Sequence, residues 1–145
     1  MIPFLFIILV VMSTVAIWFT REPPVFTEVK DLYARFRQNI EDGAVPAKFK
    51  VLSRPVLLIG YLKKKKELGY NTNKGYEICL CLDGTANQIF HVLLHELAHS
   101  TVKEYDHNEE FWKNFKELRD LAAGWGLYKP IMESQAFCGK SIKDS

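Results

Sequence analysis

The stretch Thr85 to His99, TANQIFHVLLHELAH, restricts the fold more than any other part of the chain. Thr85 with Gln88 three residues later has the form of a capping box. It sets a helix start just ahead of the apolar run Ile89 to Leu94. Between Ile89 and Ala98 the only polar residues are His91, His95 and Glu96. A helix this apolar belongs in a core, and it carries a carboxylate inside with it. Burying that carboxylate without a partner costs several kcal/mol, so the fold has to supply a counter-charge.

Helical geometry says which kind. Residues i and i+4 share a face one turn apart, so His95 and His99 aim at a common point. Two ligands of a tetrahedral zinc need that arrangement, with Zn–N of about 2.0–2.1 Å. Glu96 projects beside the same point, where a carboxylate can act as general base toward a water activated by the metal. A catalytic zinc takes three protein ligands and keeps one position open. His107, eight residues beyond His99, is the foremost third ligand, with Glu109 and Glu110 as alternatives. His91 lies one turn before His95, but its Cα is about 12 Å from that of His99 along the axis. The three rings therefore cannot meet at one ion, and His91 is expected to line the cleft or to hydrogen-bond a ligand.

The helix is expected to run to about Val102. A second one starts near Asp106 or Asn108, buries Phe111, Trp112, Phe115 and Leu118, and closes at Gly124 or Gly126. Upstream, Thr27 to Glu41 has helical apolar spacing, after the stiff spacer Arg21 to Pro24. Phe49 to Val51, Val56 to Tyr61 and Tyr76 to Leu82 read as strands. Asn71 to Lys74 reads as a turn, and the tail beyond Tyr128 as irregular with its last seven residues frayed. The run Lys63 to Lys66 reads as a solvated face, with anionic lipid or nucleic acid as an alternative contact. A net charge of +2 over 145 residues does not by itself call for nucleic acid. Cys79, Cys81 and Cys138 are too few and too irregular for a disulfide framework, and are expected as buried thiols in a reducing compartment.

Ile2 to Phe19 carries no charge and ends in an aromatic pair followed by Arg21. As one helix it would be about 27 Å long, near the roughly 30 Å hydrocarbon thickness of a bilayer. It is expected to anchor the chain as a single-pass membrane protein; the alternative is a signal peptide cleaved before secretion. Arg21, Lys30, Arg35 and Arg37 follow it and no basic side chain precedes it, which puts the remainder on the cytoplasmic side. The domain plan is then residues 1–20 as anchor, 21–25 as linker and 26–145 as one α+β domain.

HELAH, followed by His107 to Trp112 (HNEEFW), resembles the WLM and SprT-like metallopeptidases of the zincin superfamily, with a likeness to short predicted metallopeptidases of large DNA viruses. Asn73-Lys74-Gly75 and Phe137-Cys138-Gly139 are weaker echoes. The resemblance implies a small zincin-like domain with a mixed or antiparallel sheet. It also implies zinc on His95, His99 and His107, and Glu96 as general base. Related zincins pair an edge strand with extended substrate, which would fall to Tyr76–Leu82. Members of the group process proteins, including proteins crosslinked to DNA. Ser100 to Asp106 lacks the glycine that the WLM pattern usually has before its third histidine.

The expectation is a membrane-anchored zinc metallopeptidase acting on protein or peptide substrates, with Tyr105, Tyr128 and His91 as candidate oxyanion donors. The rivals are a non-catalytic zinc-binding module tethered to a membrane, and a DNA-associated protease.

Overall fold

The computed structural model describes residues 1–62, 69–72 and 77–144, with residues 69–72 as backbone only. Lys63–Lys66 and Asn73-Lys74-Gly75 therefore lie outside the described residues. Helix α1 spans Phe4–Phe19 and α2 spans Pro24–Asp42. The prolines do not delay α2. Pro24 is its first residue, where a missing N–H is no loss, and Pro23 is its N-cap. Val29, Phe36 and Ile40 are fully buried along one face, and Lys50 Nζ donates to Ile40 O (2.9 Å) and Gly43 O (3.0 Å) at the C-terminal end.

Ala47–Ser53 is a 3₁₀ helix, not the strand that Phe49 to Val51 suggests. Its buried residues, Phe49 and Leu52, are three apart, which is the period of that helix. Burial thus overrides local strand preference. Strand β1 is Leu57–Tyr61, β2 is Gly69–Thr72 and β3 is Glu77–Cys81. The sheet is mixed, in the order β1-β3-β2, with β3 parallel to β1 and antiparallel to β2. Asn71 and Thr72 thus pair with β3 rather than opening a turn. β3 is the central strand, not an edge. Ile78, Cys79, Leu80 and Cys81 are all buried, as a strand covered on both faces requires.

Helix α3, Ala86–His99, has the capping box in full: Gln88 N donates to Thr85 Oγ1 (3.2 Å) and Thr85 N to Gln88 Oε1 (3.0 Å). Helix α4, Glu109–Gly124, is capped by Asn108, whose Oδ1 accepts from Phe111 N at 3.0 Å. Its buried stripe is Phe111, Phe115, Leu118 and Ala122, whereas Trp112 stays 46% exposed. The apolar faces of α2, α3 and α4 and one face of the sheet share one core, in which Phe36 meets Phe90 and Trp125 edge-on.

The C-terminal tail is ordered. β4 (Gln135–Phe137) and β5 (Lys140–Ile142) form a hairpin through Cys138 and Gly139, which have φ of 48° and 78°. Two consecutive positive φ values suit the right-handed twist of a hairpin. Instead of fraying, the chain continues to Asp144, whose backbone N–H donates to Ile131 O at 2.8 Å. Cys81 and Cys138 form a disulfide, contrary to the expected thiols; only Cys79 is a free, buried thiol among the described residues. The partners are 57 residues apart and meet because the hairpin turn folds onto the end of β3.

The N-terminal segment differs from the expected span. Among the described residues no single helix is long and apolar enough to cross a membrane. α1 has 16 residues, about 24 Å. α1 and α2 pass such a test only as a pair, bent by 59°. None of the α1 residues is buried, so its whole apolar surface is exposed.

Candidate metal centre

Two segments deliver the candidate ligands. His95 and His99 come from consecutive turns of α3, and His107 from the residue before the Asn108 cap of α4. His95 Nε2 lies 3.1 Å from His107 Nε2, which lies 3.2 Å from His99 Nε2. Around a tetrahedral zinc with Zn–N near 2.1 Å, ligand nitrogens stand about 3.4 Å apart. The three rings therefore already have close to the spacing of a ligand set, and all present the same nitrogen inward. One proton can satisfy only one facing pair, whereas a cation accepts all three lone pairs at once. The donor set fits a zinc ion.

The surroundings keep these nitrogens available. Phe111 forms an aromatic floor, with ring centroids 4.9, 4.5 and 4.8 Å from those of His95, His99 and His107. Burial first, then the neighbouring His99 and His107, push the His95 pKa down to about 3, so its ring is neutral, as a ligand must be. Glu96 is 7% exposed on the same helix. Glu109 and Glu110, the alternative third ligands, are exposed in the first turn of α4 and do not join the histidine group.

The turn carrying His107 is held at its start. α3 ends at His99, three residues before the expected Val102, and Thr101 Oγ1 donates to Ala98 O at 2.7 Å. Asn114 Nδ2 donates to Thr101 Oγ1 (2.9 Å), and Lys48 Nζ donates to Asn114 Oδ1 (2.7 Å). Val102 is buried behind it. No residue from Ser100 to Asp106 has a positive φ. The missing glycine is therefore no obstacle, because this turn never enters the region that favours one.

His91 and Tyr128 belong to a different group. Tyr128 donates to Asp144 Oδ1 (2.6 Å), and His91 Nδ1 lies 2.9 Å from the Tyr128 hydroxyl and 3.0 Å from Asp144 Oδ1. Arg119 reaches the same carboxylate at 2.9 Å. His91 Nδ1 and the Tyr128 hydroxyl hydrogen-bond this cluster, not a ligand histidine. The cluster acts as a brace: Arg119 lies over the Phe115 ring (4.4 Å), and Phe115 meets both His91 and His95 edge-on. Asn114, Arg119 and Asp144 escape sequence reasoning, since each looks like an ordinary surface polar residue until its partners are known. Cys81, Asp83 and Cys138 also lie close together, but two of their donor sulfurs are spent on the disulfide.

The family model for the WLM domain matches residues 47–142, well over half of the sequence and the whole of the histidine site. The chain belongs to the WLM family. An uncharacterised protein of Acanthamoeba polyphaga mimivirus is 34% identical over 89 residues, which are 54% of this chain and 45% of that protein. The chain thus spans under half the length of that relative. Among solved structures, Wss1 from Saccharomyces cerevisiae matches with a TM-score of 0.47 and 24% identity, over 54% of this chain and 67% of that one. The metallopeptidase zymogen of Pyrococcus abyssi abylysin matches with a TM-score of 0.43 and 21% identity, over 70% and 97%.

Proposed function

We propose that this WLM protein is a membrane-attached zinc metallopeptidase that hydrolyses peptide bonds. The observation that carries the reading is the convergence of His95, His99 and His107 Nε2, with a buried Glu96 next to His95 on the same helix. When bound there, zinc would act as a Lewis acid toward the scissile carbonyl and acidify a water molecule. Glu96 accepts the proton of the attacking water and returns it to the departing amine nitrogen. Phe111 packs against all three histidines, while exposed His107 leaves one side of the site open to water and substrate. The edge strands β1 and β2 flank the central strand and offer backbone groups to an extended substrate, the part first assigned to Tyr76–Leu82. A purely structural zinc site has no use for Glu96, which favours catalysis over a binding module.

The experiment is zinc content and proteolysis of an unfolded protein by the full chain and by Glu96→Gln. One zinc per chain in both, with activity lost at least 100-fold in the variant, is expected. Equal activity in both would sink the catalytic reading. Loss of zinc in His107→Ala supports the third ligand, and retention transfers it to another residue.

Attachment to the bilayer rests on the exposed apolar surface of α1, none of which joins the core formed by the described residues. A 16-residue helix is shorter than the hydrocarbon layer, and local thinning accommodates it at modest cost. The basic residues Arg21, Lys30, Arg35 and Arg37 favour the cytoplasmic face for the catalytic domain, whereas the Cys81–Cys138 disulfide removes the support expected from free thiols. The full chain should float with phosphatidylcholine vesicles, and an Ile8→Lys, Met12→Lys variant should not. A wild-type chain that stays at the bottom of the gradient overturns the attachment.

A further inference from the structure

Two aromatic side chains at the mouth of the histidine site are unexplained by the metal or by the core. Trp112 is 46% exposed and Tyr105 49% exposed. Trp112 breaks the burial stripe of α4 and lies along the His107 ring, with centroids 5.6 Å apart and planes 32° apart; His95 is 6.1 Å away. Tyr105 comes from the turn after α3 and lies along His99 at 5.8 Å and 28°. The two rings thus lie against different histidines and keep about half of their surface toward solvent. Exposed aromatic area beside a reactive centre is surface for a ligand to cover, and a Trp or Tyr ring offers it with little side-chain entropy to lose.

We propose that Trp112 and Tyr105 form a subsite for a large apolar side chain next to the scissile bond, and so determine specificity. The inference rests on the zinc site proposed above. Charge argues for an apolar occupant. A divalent ion on three neutral imidazoles repels a cationic side chain close by. Glu104, Asp106, Glu109 and Glu110, all exposed on the turn and the first turn of α4, outnumber the exposed Lys103 there and repel an anionic one. An apolar or aromatic side chain meets neither penalty and gains the area of both rings.

The test uses the full zinc-loaded chain in detergent and two chelating probes. Acetohydroxamate reports the metal alone; N-acetyl-phenylalanine hydroxamate adds the side chain. The second is expected to bind at least tenfold tighter, about 1.4 kcal/mol. In the Trp112→Ala, Tyr105→Ala double variant the ratio should fall below threefold with zinc still at one per chain, and Trp112→Phe should keep most of it. A merely structural role would shift both probes together and leave the ratio unchanged. A wild-type ratio near one, a ratio insensitive to the double substitution, or tightest binding by the lysine or aspartate counterpart overturns the proposal. Because binding is read without turnover, a preserved ratio in a chain that cleaves nothing upholds the subsite and rejects the peptidase reading. A chain that holds no zinc overturns both.

Discussion

Asn114 is 2% exposed and uses both ends of its amide, donating to Thr101 Oγ1 and accepting from Lys48 Nζ. These bonds join the turn after α3 to α4 and to the 3₁₀ helix, while Lys48 also reaches Glu117 at 3.0 Å. His107 is itself exposed, so its position depends on this anchorage and on the Asn108 cap as well as on its contacts with Phe111 and Trp112. Asn114→Leu keeps the volume approximately but removes two hydrogen bonds, leaving Thr101 with Ala98 O alone and Lys48 with Glu117 alone. The expected loss is about 1–3 kcal/mol of stability. Zinc affinity should also weaken about tenfold or more, as happens when groups orienting a ligand are removed. Competition with a chromogenic chelator measures the affinity, and thermal unfolding measures the stability. A folded variant with wild-type zinc affinity would show that the turn is held some other way.

At the level of elements, what the sequence reveals tracks how local the cause is. α3 is readable because its determinants lie within fifteen residues: Thr85 and Gln88 at one end, the apolar run, and histidines one turn apart. The Asn108 cap and the end of α4 at Gly124 are readable for the same reason. The place of β3 in the sheet is not. Alternation says that Tyr76 to Leu82 is extended, but only the pairing with β1 and β2 makes it central and buries both faces. Cys81 and Cys138 likewise pair through a hairpin whose turn needs two positive φ values, a demand spread over Cys138 and Gly139 and invisible to cysteine counting. Trp112 misleads in the other direction. Its type says core and its neighbours share helical spacing, yet Phe111 and Phe115 take the buried face and leave it at the mouth of the site.

For the molecule as a whole, the same burial that keeps His95 and His91 neutral ties stability to pH. His95 has its pKa pushed down to about 3, chiefly by burial and then by His99 and His107. His91 is lowered too, because burial outweighs the opposing pull of Asp144. The unfolded chain binds protons at both rings once the pH falls below about 6.5, whereas the folded chain refuses them. Between 6.5 and the folded values the unfolded state therefore carries more protons, and stability falls as the pH falls. Asp144 adds a second, lower window. Burial raises its pKa, but hydrogen bonds from Tyr128 and Arg119 more than offset that and hold it below the ordinary carboxylate value. Its contribution is present above about pH 3.9 and disappears as the pH drops through the lowered value. Zinc is held by the folded site, so it is released as acid unfolds the chain. The metal-free full chain should therefore lose thermal stability steadily from pH 6.5 downward, and the zinc-loaded chain should release its metal over the same range. Scanning calorimetry at half-unit steps from pH 7 to 4, with and without chelator, checks both. A metal-free melting temperature that is flat across those steps would mean that His95 and His91 are not buried as neutral rings.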